Sequence, residues 1–362
     1  MERTLLKELT DPRLKAYLDA RQVAPRYWPT LFPLDFSDEL DWKALNAENG
    51  GTIVADVVSY DSAAPEKGRK VIGKATGEIA KVSVKRTMRE RDFLQYGRLK
   101  KATQTDDVKK KILDLVYNDV DFVQDAVLGR HESLALQMSS TGRVTLNKQN
   151  NNGIVTETDV DMGVPSKNKL TVSKLLDNPE FDFFAEVRTV VAKSKKTGRV
   201  RYIWMDEDTF AVIMETPKVK ASYGLEYYKN QNSYEGIIDQ EMINAYLKKK
   251  KLPEIIVIDD ADLIFEDDDH ARTELPAWEK GYITFTIDKT FGRTQHGPIA
   301  EEEAESVKKY AIQAKKGHVL ITKWSDVDPV CEKTKGEGHF WPVIDSPDRV
   351  YMLNTNSTSK FI

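Results

Sequence analysis

The longest regular pattern of apolar and polar positions runs from Asp106 to Ser139. Ile112, Val116, Val120, Val123, Val127, Leu134 and Met138 recur every three or four residues, with Asp114, Asn118, Asp119, Asp121, Asp125 and Glu132 between them. That spacing places one apolar stripe on a long helix. Thr105 before Asp106 and Asp107 is an N-terminal cap with acids at the positive end of the helix dipole. Gly142 supplies the stop. At about 1.5 Å per residue the helix reaches roughly 50 Å, the length of a spine rather than of an ordinary core helix. The alternative is a core helix broken near Gly129.

Upstream, Leu5, Leu6, Leu9, Leu14 and Leu18 space one face of a short amphipathic helix over residues 1–24. Pro25, Pro29 and Pro33 then rule out a helix and favour an extended arm over residues 25–36. Tyr27, Trp28, Leu31, Phe32, Leu34 and Phe36 make that arm apolar, so it must lie on its own domain or on a neighbouring chain. Residues 50–99 read as a long β-hairpin: strands GTIVADVVSYD and EIAKVSVKRTMRE, with a Gly- and Pro-containing tip over 62–77. Two strands alone are marginally stable in water, so the hairpin needs support.

After the spine, GRVTLN and GIVTETDVDMG are short strands, and residues 165–325 alternate as an α/β lobe. Helices are predicted over NPEFDFFAEVRTVVAKSKKTG (capped by Asp177 or Asn178), DEDTFAVIMET, QEMINAYLKKKK and EEEAESVKKYAIQAKKG. Strands are predicted over RVRYIWM, LPEIIVIDD, YITFTI, HVLITKWSD and DRVYMLNT.

Composition narrows the classes. A chain of 362 residues can bury a large core over two lobes, and a net charge of −4 argues against nucleic-acid binding as the main task. No apolar run reaches the ~20 residues that a membrane span needs. Cys331 stands alone, which excludes a disulfide framework or a cysteine metal cluster and fits synthesis in a reducing cytosol. Charge is segregated: residues 66–111 hold fifteen Lys or Arg against six Asp or Glu, and residues 254–305 hold four against fifteen. That pattern suggests that Arg86, Arg89 and Arg91 of one copy contact the acidic lobe of the next.

Catalytic motifs do not emerge. VIGKATGEIAK lacks the spaced glycines of a phosphate loop, and the histidines at 131, 270, 296, 318 and 339 have no ligand spacing. The best metal candidate is residues 258–270, where Asp259, Asp260, Asp262, Asp267, Asp268 and Asp269 offer hard oxygen donors. They lack the spacing and central glycine of a calcium loop, so an acidic surface loop is the favoured reading. KRTMRERDF at 85–93 is basic enough for phosphate, but its strand context favours a solvated or subunit-contacting face. No catalytic, cofactor-binding or metal residue is therefore assigned.

PRYWPTLFPLDF at 25–36, KVSVKRTMRERDF at 81–93, the spine helix and VTETDVDMGVPSKNKLT at 155–171 form an ordered series. Trp324, DPV at 328–330 and WPVIDSPDRVYMLN at 341–354 complete it. The series resembles the major capsid proteins of tailed phages, the Hong Kong 97-like fold shared with encapsulin shells, and within it the lambda-like capsid protein E family. The resemblance implies an α+β fold with residues 1–49 as the N-terminal arm and 50–104 as an extended β-hairpin loop over the adjacent subunit. Residues 105–165 with 326–362 would form the peripheral domain around the spine helix, and 166–325 the axial α/β domain. It implies a shell protein, not an enzyme, with no cofactor, that self-assembles into hexamers and pentamers of an icosahedral phage head. Its implied partners are scaffolding and portal proteins, a decoration protein, and packaged double-stranded DNA held non-specifically, with no membrane. No scaffold-like helical segment precedes the arm, so scaffolding is expected from a separate protein. Assembly is expected in the host bacterial cytoplasm and residence in the virion. A cargo-storing shell of the same fold and a metal-dependent hydrolase using the 258–270 aspartates are the alternatives.

Overall fold

A computed structural model describes residues 4–6, 9–47, 72–103, 105–151, 158–228, 234–259, 263–267, 269–276 and 278–361. The spine is one unbroken helix, Asp106–Thr141. Thr105 Oγ1 accepts from Val108 N, and Gly142 ends the helix in the left-handed region at φ 72°. A side chain at Gly142 would press on Val164 and Met352, so both the turn and the packing require glycine there. All seven stripe residues from Ile112 to Met138 are buried. Gly129 does not break the helix; Leu263 packs beside it instead. Towards its C-terminal end the helix is enclosed on further faces, where Gln124, His131, Glu132, Ser139 and Ser140 are also buried.

The stripe lies on a six-stranded sheet. Its path runs Leu34–Phe36, Gly292–His296, Val330–Ile344, Val319–Val327, Ile312–Lys316, and Lys81–Met88 pairs with the long strand Val330–Ile344 as well. The closest approach is at Gly336: a Cβ there would stand 2.7 Å from the Val123 carbonyl oxygen and 3.0 Å from its Cβ. Helix backbone therefore rests directly on strand backbone, and Val123 faces the sheet as the stripe requires.

A second sheet of five strands runs Lys169–Thr171, Tyr351–Asn354, Tyr282–Thr286, Tyr202–Asp206, Glu254–Ile258. Strand alternation divides its residues between two cores. Ile203, Met205, Tyr351 and Leu353 pack with the helices Phe183–Ser194, Glu207–Glu215, Pro217–Tyr228 and Gln240–Lys249, whereas Trp204 and Met352 join the core of the spine. Thr284 Oγ1 donates to Ser139 O at 2.8 Å, which ties the end of the spine to this sheet.

Several expectations are corrected. The strand expected over 51–61 lies outside the described residues, as does most of the tip. Ile72–Glu78, expected as tip, is a strand paired with Asp41–Ala47. Lys81–Met88 is a strand, but it joins the sheet under the spine, and Glu90–Lys101 is a helix because Phe93, Tyr96 and Leu99 recur at helical spacing. The arm contains one helical turn, Trp28–Leu31, with Pro29 in its first turn, where a missing N–H costs nothing. Asp182, not Asn178, caps Phe183–Ser194, its side chain accepting from Ala185 N at 2.9 Å; Asn178 closes the preceding turn. Residues 312–316 are a strand rather than the end of a helix, since Ile312 and Ala314 alternate inward. A lobe boundary at 325/326 would cut the strand Val319–Val327.

Gly336→Ala should lower stability by about 1–3 kcal/mol through overpacking. Val123→Asp should give insoluble or unfolded subunits, because an unpaired carboxylate would be buried. Denaturant midpoints and soluble yield check both. An unchanged midpoint for Gly336→Ala would mean that the helix lifts freely from the strand.

Candidate functional site

The arm docks on its own chain. Leu31 and Phe32 are fully buried, and Thr294 Oγ1 donates to Phe32 O at 2.9 Å. Backbone bonds from Phe291 N to Leu31 O (2.9 Å) and from Thr294 N to Pro33 O (2.8 Å) fix the path. Glu132 of the spine accepts from Tyr27 N (2.7 Å) and Trp28 N (2.9 Å). Burial pushes the Glu132 carboxyl up, and those two N–H groups with Arg26 only partly offset it. About two and three helical turns earlier along the spine, Arg21 grips Asp125 at 2.6 Å and Asp121 at 2.7 Å. Tyr17 stacks on Tyr117 and donates to Asp121, so burial and that bond drive its hydroxyl to about 12. Leu34–Phe36 then pairs in parallel with Gly292–His296 and leaves Leu34 and Phe36 exposed at the sheet edge.

Under the arm lies a buried histidine pair. His131 Nδ1 and His318 Nε2 share a hydrogen bond of 3.1 Å, and His131 Nε2 lies 2.9 Å from Thr294 Oγ1. Trp28 stacks on His131 with ring centroids 4.1 Å apart, and Phe340 covers both imidazoles. His296 lies 6.2 Å from His318, centroid to centroid. Burial pushes both members of the pair down, His318 to about 3, so both are neutral near pH 7. No spacing signal marks this cluster along the chain, since 187 residues separate the bonded pair.

The long strand carries buried charge. Glu332 accepts from Thr4 Oγ1 and from Leu5 N, which fastens the N-terminal residues to the sheet. Lys323 is buried opposite; burial lowers it, while Glu332 and Asp119 oppose that shift. Burial also pushes Glu337 up, but bonds from His339 and Lys335 overcome this and set it at about 2. Lys335 bridges Glu337 and Glu301, and Lys81 reaches Glu337 from the neighbouring strand. Every one of these groups holds a structural partner, and none is aimed at a reacting position.

The residues singled out from sequence scatter. Asp259 Oδ2 accepts from the Tyr27 hydroxyl at 3.0 Å. Asp260, Asp262 and Asp268 lie outside the described residues. Asp267 and Asp269 turn an exposed hairpin of strands Leu263–Glu266 and Arg272–Leu275. Among the described residues no three His, Cys, Asp or Glu side chains converge as a metal ion requires, and no helix is long and apolar enough to cross a membrane. Arg86 was expected to reach another copy; instead it pairs with Asp119 at 3.4 Å, bonds Asn118 and covers Phe122 on its own spine. Arg89 caps the helix Glu90–Lys101, and Arg91 is exposed on it. His270 bonds Glu266, His339 bonds Pro298 O, and Cys331 is buried.

This architecture matches solved structures of phage-related proteins. The capsid protein of an E. coli CFT073 prophage is 14% identical, with a TM-score of 0.58 over 96% of this chain and 99% of that one. A phage-related protein from Bordetella bronchiseptica RB50 is 12% identical, with a TM-score of 0.55 over 98% of this chain and 99% of that one. The arm, spine and two sheets are thus the α+β, Hong Kong 97-like fold of phage capsid proteins. The family model for phage major capsid protein E matches residues 20–351, and the chain belongs to that family. It is a capsid shell protein of the virion, a structural protein and not an enzyme. No curated protein matches the chain.

The His131–His318 pair predicts an acid limit to stability. The folded His318 pKa is depressed to about 3, so below the ordinary value near 6.5 the unfolded chain binds the extra proton. Stability should therefore fall as pH drops from about 6.5 towards 3, by up to about 1.4 kcal/mol per unit for this one imidazole. Glu132, raised by burial, works in the opposite direction above the ordinary carboxylate range. Melting curves of wild type and His318→Gln across that window separate the two, and the variant should show the shallower acid slope.

Proposed function

We propose that copies of this chain assemble as hexamers and pentamers into an icosahedral head shell that encloses a double-stranded DNA phage genome. The family match from residue 20 to residue 351 carries this reading, because it spans the arm, the spine and both sheets. Self-assembly is supported also by exposed apolar side chains that a lone subunit leaves in water, such as Phe36, Leu40 and Ile237. Residues 1–49 act as the arm, and the stretch between the paired strands Asp41–Ala47 and Ile72–Glu78 reaches over an adjacent subunit, whereas Lys81–Met88 and Glu90–Lys101 stay on their own spine. The peripheral part consists of 105–165 with 326–362 and takes in the strands between 292 and 325, which share the sheet of Val330–Ile344. The axial part is the remainder of 166–325, built on the five-stranded sheet. Scaffolding, portal and decoration proteins are the expected partners, the DNA is held non-specifically, and assembly takes place in the host bacterial cytoplasm. No observation on this chain favours a cargo-storing shell, and among the described residues the carboxylates of 258–270 do not converge as a metal-dependent hydrolase requires.

Negative-stain micrographs of concentrated protein, with and without a co-expressed scaffolding protein, test the reading. Closed shells of uniform diameter are expected, and dispersed subunits under both conditions would overturn it. Deleting residues 51–70, between the paired strands Asp41–Ala47 and Ile72–Glu78, should leave the melting transition nearly unchanged and abolish closed shells. A large fall in melting temperature would show that this segment supports its own subunit.

A further inference from the structure

Two unlike surfaces on this chain complement each other. The first is a stripe on the helix Glu90–Lys101: Arg91, Leu94, Arg98 and Lys101, all exposed. At about 100° per residue these four fall within an arc of roughly 80°, on the side away from Tyr96, which is buried. Leu94 is 66% exposed among these three cations, with the exposed Glu90 one turn before it at the edge of the stripe. Gly97, beside the stripe, has open space over it.

The second is the outer face of the hairpin Leu263–Glu266/Arg272–Leu275. Leu263 and Phe265 point inward and are buried, and Leu263 seats the hairpin over Gly129 of the spine. Ile264 points outward, 58% exposed, opposite Glu274. Glu266, Asp267, Asp269 and Glu274 surround it, and Arg272, the cation opposite, is engaged by Glu266 at 3.0 Å. Each surface is thus an aliphatic side chain ringed by charge of a single predominant sign, and the two signs are opposite.

The two do not meet within one subunit. The stripe helix borders the spine near Leu115, and the hairpin borders it at Gly129. Those positions are about 21 Å apart along the helix axis. Unlike patches on one chain make a heterologous, head-to-tail contact, the kind that closes into rings.

We propose, resting on the shell reading above, that the basic stripe of one copy docks on the acidic hairpin of the next, with Leu94 against Ile264 at its centre. The apolar pair contributes burial, and the surrounding charges set register and encounter rate. This moves the inter-subunit role expected of Arg86 and Arg89 to Arg91, Arg98 and Lys101.

The test is charge reversal in the full chain. One variant carries Arg91→Glu, Arg98→Glu and Lys101→Glu; a second carries Asp267→Lys, Asp269→Lys and Glu274→Lys; a third carries all six. Light scattering at ~0.1 M salt follows assembly, and circular dichroism melts confirm folding. Each triple variant should slow assembly by about tenfold or more, and the six-fold variant should recover most of the loss. Normal assembly of both triples, or no recovery in a folded six-fold variant, would overturn the contact while wild-type shells still form. A wild type that forms no shells would overturn the shell reading and this contact with it. If the first triple assembles normally but loses retention of short duplex DNA, the stripe serves nucleic acid and the proposal fails.

Discussion

The backbone contact between Val123 and Gly336 fixes the geometry of the larger core. A helix normally stands off a sheet by the thickness of two side-chain layers. Here a glycine on the strand lets the helix backbone settle onto it. That closeness aligns the stripe from Ile112 to Met138 over the sheet and sets where the C-terminal end of the spine meets the second sheet, at Thr284. The same helix presents Glu132 and His131 to the arm, Asp121 and Asp125 to Arg21, and Asp119 to Arg86. Shifting the spine would disturb all of these at once, because each is a close contact made by the same rigid helix.

The long strand shows how charge can be enclosed without becoming chemistry. Glu332, Lys323 and Glu337 are almost wholly buried, yet each is matched by groups of opposite charge or by backbone donors from distant parts of the chain. Buried ion pairs add little net stability, because desolvation offsets attraction. Removing one partner is costly, however, so the network penalises any wrong arrangement of the strand and the N-terminal residues. The neutral histidine pair is similar: its bonds are satisfied inside, and protonating it would put an unpaired charge in an apolar pocket.

What the sequence disclosed depended on whether a residue's partner was near or far along the chain. The spine was legible because its stripe repeats within one element, and four of the five strands of the second sheet because their apolar runs are self-contained, whereas Lys169–Thr171 carried no such run. Val330–Ile344 was largely hidden: Glu332, Lys333, Lys335 and Glu337 interrupt its alternation, and their compensating partners, Thr4, Glu301 and Lys81, lie far away in sequence. The helix Glu90–Lys101 did carry a signal in Phe93, Tyr96 and Leu99, but the preceding β alternation masked it. The histidine cluster had no local signature at all. Charge segregation was visible from the start, whereas the role first given to Arg86 was wrong because its partners, Asn118 and Asp119, lie on the spine.

The bond between Thr4 and Glu332 spans 328 positions of the chain, and the strand that floors the spine ends at residue 344. Synthesis runs from the N-terminus, so the arm, the spine and Lys81–Met88 all leave the ribosome before the strand they pack on. The larger core therefore closes only when nearly the whole polypeptide has been made. Such non-local topology slows folding and lengthens the time for which apolar surface is open to the wrong partner. It also acts as a clock: a chain that stops before that strand has no finished sheet beneath its spine.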